Sequence, residues 1–189
     1  MKRGLLQAGC SVLLVSSLIA CGGGETKVAA RRMADALHVV LSTDRGVYTK
    51  LVVNRLVGEE KVIHASERWL EEKALPLPAQ MFRLGAEEAR KKSQDFSYKL
   101  LSKWPINKAN TPRTEVEKKG LEYVEAESGK KAFYNEEERG GTKYFTAVYA
   151  DVGVAQACIG CHNNHKQSPK RDFALNDVMG GVVLTIPIE

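Results

Sequence analysis

The 189-residue chain is short of several things, and each shortage excludes something. It has no internal repeat, no low-complexity tract and no second long apolar run beyond the one at its N-terminus, so no fused output module is expected. Phosphate-cradling glycine loops and a Ser-His-Asp ordering are both missing. The acidic runs Glu71-Glu72, Glu87-Glu88 and 136–138 read as exposed surface. An enzyme is therefore not expected. Charge of one sign is also scarce: the net charge of +5 falls to +3 once Lys2 and Arg3 are set aside with a cleaved segment. Basic residues alternate with acidic ones, as in Glu59-Glu60-Lys61, so no nucleic acid is expected as a partner.

Cysteine is scarce as well, with four residues. Two of them stand in Cys158-Ile159-Gly160-Cys161-His162, the Cys-x-x-Cys-His attachment sequence of a c-type haem. Positions i, i+3 and i+4 share one face of a helical turn, so both thiols and the imidazole can address a single porphyrin. Two thioethers would hold the ring while His162 takes the proximal position on iron. A zinc site would have to crowd His165 in with these three, without the long loop between ligand pairs that zinc fingers use. A thioredoxin-like redox pair calls for a βαβ setting. A disulfide over so short a loop would remove little unfolded-state entropy.

The N-terminus is consistent with that chemistry, since bacterial haem attachment takes place outside the cytoplasm. Lys2 and Arg3 precede an apolar run from 5 to 19, and Leu18-Ile19-Ala20-Cys21 then meets three glycines. The run is too short for a membrane span and reads as a secretory signal. The small-residue-then-Cys ending resembles a bacterial lipobox. Residues 1–20 are expected as a lipoprotein signal peptide, Cys21 as the lipidated residue, 21–27 as a flexible tether and 28–189 as a single domain. Every cysteine is then accounted for, because Cys10 leaves with the signal. The expected location is the periplasm, lipid-anchored to a membrane, with Gly22 leaning toward the outer one.

Residues 28–60 carry apolar positions at three- and four-residue intervals. A helical hairpin is expected there, with Gly58 near the break and 62–73 continuing in the same style. Pro76 and Pro78 punctuate before a helix over 79–92. Alternation over 96–104 suits a strand, and Thr114-Glu115-Val116-Glu117 is a capping box opening a helix to about 127. Strands over 131–135 and 142–152 flank a charged loop ending in Gly140-Gly141. After the Cys-x-x-Cys-His motif, an apolar strand over 181–188 closes the chain, with Pro187 suggesting an edge or a terminus. The class is α+β with a small antiparallel sheet.

Taken together, residues 45–50, Leu75-Pro76-Leu77-Pro78-Ala79, 96–104, 107–112 with Glu115 and Glu117, Tyr144-Phe145, the haem motif and 177–187 resemble a family of c-type haem sensor domains with a PAS-like fold, long described as a domain of unknown function. Its members are often fused to histidine kinases or chemoreceptors. The resemblance implies a PAS-like antiparallel sheet with N-terminal helices, one covalent haem c, and redox or gas sensing or electron transfer. Some members supply a distal Cys ligand from a helix upstream of the Asn-Pro-rich turn. No such Cys exists here, and the matching place falls at or next to Met81.

The sixth iron ligand decides the functional class. Strongly ligated iron shuttles electrons, whereas an open site binds NO or CO. Met81 is the first candidate, with core packing as its competing role; Met179, His64 or an open position are the alternatives. Met33 and His38 are expected to pack. Tyr48 can steer a bound gas, and Arg45, Arg113 or Lys170-Arg171 can pair with propionates. The expected function is a monohaem c-type cytochrome that senses redox state or a diatomic gas and acts on a separate signalling protein. The alternative is a periplasmic electron carrier serving a redox partner.

Overall fold

The computed structural model describes residues 22–188; the expected signal segment 1–20 and Cys21 lie outside the described residues. Helix α1 (Gly22–Val47) starts inside the stretch whose glycines suggest a tether, with Glu25 placed in its first turn, where a carboxylate suits the helix dipole. It passes without interruption into a π-helical stretch, Tyr48–Glu59. One continuous rod therefore replaces the expected hairpin, since no proline interrupts it. The rod does end beside Gly58, but residues 62–73 form turns and no second helical arm. Lys61 and Lys73 adopt left-handed φ values of 55° and 50°, and Ala65 bridges to Leu75. Val62 and Leu70 are 67% and 73% exposed, so the apolar spacing there has no surface to pack on.

Helix α2 (Pro78–Lys92) follows, with proline in its first turn. Strand β1 (Ser97–Leu101) is next, then helix α3 (Glu115–Ala126), strands β2 (Phe133–Arg139) and β3 (Thr142–Val152), helix α4 (Gln156–Asn164) and strand β4 (Val178–Ile188). The sheet is fully antiparallel in the order β1-β4-β3-β2. Gly140 and Gly141, at φ 58° and 79°, make the two-residue turn between β2 and β3. The charged stretch expected as loop belongs to β2 up to Arg139, which pairs with Thr142. Edge position explains this, because the far side of β2 faces water. Pro187 sits on an inner strand, yet β1 pairs with β4 only as far as Thr185, so no β1 ladder bond needs its missing N–H.

Both faces of β3 and β4 are covered, which is why these strands read as apolar runs. Phe145, Ala147, Tyr149, Val182, Leu184 and Ile186 meet Ala30 and Ala34 of α1 and Phe82 of α2. On the other face Val148 and Val183 pack with Leu121 and Val124 of α3. The α3 capping box forms as the sequence predicts: Thr114 Oγ1 accepts from the Glu117 N–H, and Glu117 accepts from the N–H of Thr114 and of Arg113. Glu117 is 2% exposed and also accepts from Lys99 Nζ at 3.1 Å. Burial pushes its pKa up, but the two backbone N–H bonds and the Lys99 ammonium outweigh this, and the net shift is downward.

A depressed carboxyl pKa contributes stability that is full above the unfolded value of about 4.3 and is lost as pH falls through the folded value. Glu117→Gln is expected to cost about 1–2 kcal/mol at neutral pH and to flatten the fall of Tm below about pH 5, as read by thermal melts across pH.

Candidate functional site

Helix α4 starts where β3 ends, and the connection is pinned. Gly153 N–H donates to Asp177 O and Gly153 O accepts from Asn176 N–H, both at 2.9 Å. A Cβ on Gly153 would come within 2.4 Å of Ile159 Cδ1 and 2.8 Å of Met179 Sδ, so glycine lets α4 sit close against the strand ends. Ile159 faces inward and forms a small core with Phe173 and Met179. Asn163, four residues on, clamps Phe173 in both directions: its Nδ2 donates to Phe173 O at 2.9 Å and its Oδ1 accepts from Phe173 N–H at 3.0 Å.

Ile159 and Asn163 therefore anchor the helix, Cys158 packs partly against the same small core, and Cys161 is left exposed. Both thiols are free, Cys158 half-buried and Cys161 exposed. A Cβ on Gly160 between them would meet nothing within 4 Å. Cys161 opens onto a cavity of about 350 Å³ shared with Ala65, Ser66, Glu67, Arg68, Glu72 and Leu77. The cavity is framed by polar contacts. His165, at the end of α4, pairs through Nε2 with Glu67 Oε1 at 2.7 Å. Glu67 O in turn accepts from Gln80 Nε2, whose Oε1 accepts from the Leu77 N–H at the start of α2.

His162 lies edge-on to Phe173, ring centroids 6.0 Å apart, and its Nδ1 is buried with no hydrogen-bond partner. Burial lowers its pKa, with His165 adding to the effect and Asp151 opposing it, so the imidazole is neutral at neutral pH and keeps a lone pair for a metal. Partial withdrawal from water, then Glu67 and Cys158, hold the Cys161 thiol above its ordinary pKa. That is the reverse of what a thioredoxin-like nucleophile needs. Among the described residues no three His, Cys, Asp or Glu side chains come together as a metal cluster.

The other sequence candidates are spread around the fold. Arg45 and Tyr48 lie on the site's α1 side: Arg45 pairs with Asp151 and lies over the Phe82 ring, while Tyr48 OH donates to Pro76 O at 2.8 Å, next to the cavity wall. Met81 is half-buried one turn beyond Leu77, to whose carbonyl its N–H donates at 2.9 Å. Met179 packs with Ile159 on the anchored side of α4, and His64 is a surface residue 3.4 Å from Glu72. A Cβ on Gly180 would meet Leu101 O, and one on Gly181 would meet Leu121 and Val148. Of the remaining propionate candidates, Arg113 is exposed at the start of α3, and Lys170 lies over the Trp104 and Phe173 rings.

Asp151, Asn163, Phe173 and the cavity-wall residues Ala65, Ser66, Glu67, Arg68 and Glu72 join the site only in the folded chain. Asn163, directly after the motif, was the readable signal. His38 is also tied to this region. It stacks on Tyr149 at 3.9 Å, and Tyr149 OH and Tyr134 OH both donate to Asp35 Oδ1. Burial and then Arg45 lower the His38 pKa, against Asp35 and Asp151.

The Tll0287-like family model matches residues 24–187. The chain belongs to the Tll0287-like family. A solved structure similar to it is that of the cyanobacterial heme-protein Tll0287, 18% identical, covering 59% of this chain and 73% of that chain, with a TM-score of 0.48. No curated protein matches the chain.

Within this family member the Arg45–Asp151 pair is a measurable device, because both side chains are only about one-fifth exposed. Arg45→Ala strands the Asp151 carboxylate and is expected to cost about 2 kcal/mol by urea denaturation. Adding Asp151→Ala should recover part of the loss, giving a non-additive double-mutant cycle.

Proposed function

We propose that the chain is a monohaem c-type cytochrome that senses redox state or a diatomic gas through a PAS-like domain, held by lipid at a periplasmic membrane surface. One observation carries the reading: two free thiols and a neutral imidazole with an unpartnered buried Nδ1 share one turn of α4, beside a cavity of about 350 Å³. These residues fit haem c. Cys158 and Cys161 would form the thioethers and His162 the proximal bond. Haem held there would supply one-electron redox chemistry and a site for NO or CO.

The protein's own part is positioning. Ile159 and the Asn163–Phe173 clamp keep α4 rigid. Asp151, itself paired with Arg45, opposes the burial that lowers the His162 pKa, and the cavity beside Cys161 is lined by Ala65, Ser66, Glu67, Arg68, Glu72 and Leu77. A sixth position left open would make the haem a sensor. The chain His165–Glu67–Gln80 links α4 to α2.

The electron-carrier reading rests on Met81, one turn from the cavity on α2. Absorption spectra separate the two. Sensing predicts rapid CO binding to the ferrous protein and the same spectrum in Met81→Ala; a Met–iron charge-transfer band that vanishes in Met81→Ala would assign the carrier.

A further inference from the structure

A ladder of aromatic rings leads outward from His162. Phe173 lies edge-on to His162 with ring centroids 6.0 Å apart, and Trp104 lies edge-on to Phe173 at 5.7 Å, both within the range of direct ring contact. Both aromatics belong to the small core that also takes in Cys158 and Ile159. Each rung is held. The Asn163 clamp fixes the Phe173 backbone, and the Trp104 N–H donates at 3.0 Å to Ser102 Oγ, which itself donates to Met179 O. Phe173 is buried, whereas Trp104 is half-buried and lines a cavity of about 220 Å³ together with the exposed Ser128. The residues lining the cavity beside Cys161 include no aromatic ring.

We propose that Phe173 and Trp104 form the electron path between haem held by His162 and a one-electron redox partner at this second cavity. The inference rests on the haem reading above and adds where the electron crosses the protein. Tunnelling falls off exponentially with the gap between donor and acceptor, and a filled π system lowers the barrier relative to aliphatic packing. Two ring contacts that begin at the iron ligand therefore outrun a route through saturated side chains. The outer rings are also guarded by cations: Lys103 Nζ and Lys170 Nζ stand 5.2 and 5.4 Å from the Trp104 centroid, and Lys170 Nζ is 5.0 Å from that of Phe173. Ion pairs with Glu125 and Asp172 hold the two ammonium groups there. Positive charge over a ring stabilises its electrons and opposes the removal of one. Trp104 and Phe173 thus serve as a bridge and are not themselves oxidised. One electron leaves ferrous iron, which becomes ferric, and the partner is reduced by that electron; no bond or proton is transferred.

A photo-oxidisable ruthenium complex attached at Ser128→Cys tests the path on the haem-loaded full chain. After a laser flash with an external quencher, the oxidised ruthenium takes one electron from ferrous haem, and absorbance reads the rate. Trp104→Leu should slow this transfer several-fold, Phe173→Leu should do the same, and Trp104→Phe should restore most of the rate. The same label at Glu71→Cys, on the exposed loop whose neighbouring residues line the Cys161 cavity, should give a rate that Trp104→Leu leaves unchanged. Without haem, in the chain carrying Cys158→Ala with Cys161→Ala, nuclear Overhauser contacts should still join the Trp104 ring to Phe173 and Phe173 to His162. A Ser128→Cys rate that Trp104→Leu does not change overturns the path, as does an equal slowing from both label positions. A chain whose intact mass shows no haem overturns the haem reading and the path with it.

Discussion

Replacing both thiols, Cys158→Ala with Cys161→Ala, is expected to abolish haem retention after denaturing electrophoresis, with no residual haem stain. The reason is covalent: once the chain is unfolded, thioethers alone keep the porphyrin on it. Each single variant keeps one sulfur and should retain a reduced stain. Cys161 is exposed and Cys158 only partly packed, so neither alanine opens a cavity in the core. Loss of haem in the double variant is therefore a loss of chemistry and not of fold, which far-ultraviolet circular dichroism can check. Gly160→Ala, by contrast, enters open space and should keep the stain at wild-type intensity.

Gly180→Ala should be among the most destabilising single-atom-scale changes in the sheet. A Cβ there would come within 2.5 Å of Leu101 O, in the backbone of β1, and within 3.4 Å of Ser102 Cβ. Backbone cannot turn aside as the end of a side chain can. The alternative is to push β1 away from β4, where Leu101 pairs with Gly181 and Ser102 Oγ donates to Met179 O at 2.6 Å. The expected cost is about 2–4 kcal/mol, read as a lower urea midpoint. Gly181→Ala meets Leu121 Cδ2 at 2.8 Å, Val148 Cγ1 at 2.9 Å and the backbone Tyr149 O at 3.2 Å, and with both side chains buried it should cost a comparable amount. Met179 links this junction to Ile159, so the Gly180 variant should also lower the yield of haem-loaded protein.

The elements that could be read in advance announce themselves through local chemistry. Thr114 and Glu117 cap α3, Gly140-Gly141 turns β2 into β3, and Pro78 opens α2. Each needs only its own neighbours. What could not be read depends on distant surfaces. The apolar spacing of 62–73 matches a helix, but that segment is drawn into a bridge with Leu75 and the Glu67–His165 contact, and it forms turns. The charges at 136–138 look like loop, yet an edge strand tolerates them. At the site, the thiols and His162 are fixed by spacing alone, because one helical turn suffices. The wall across the cavity is not, since its residues come from 65–77 and meet α4 only through tertiary folding.

The most direct measurement is the intact mass of the denatured chain, produced in a host that attaches haem outside the cytoplasm. One species carrying a single covalent haem is expected, with Cys158 and Cys161 unreactive to alkylating reagents. A chain with no haem mass and both thiols alkylated would contradict it.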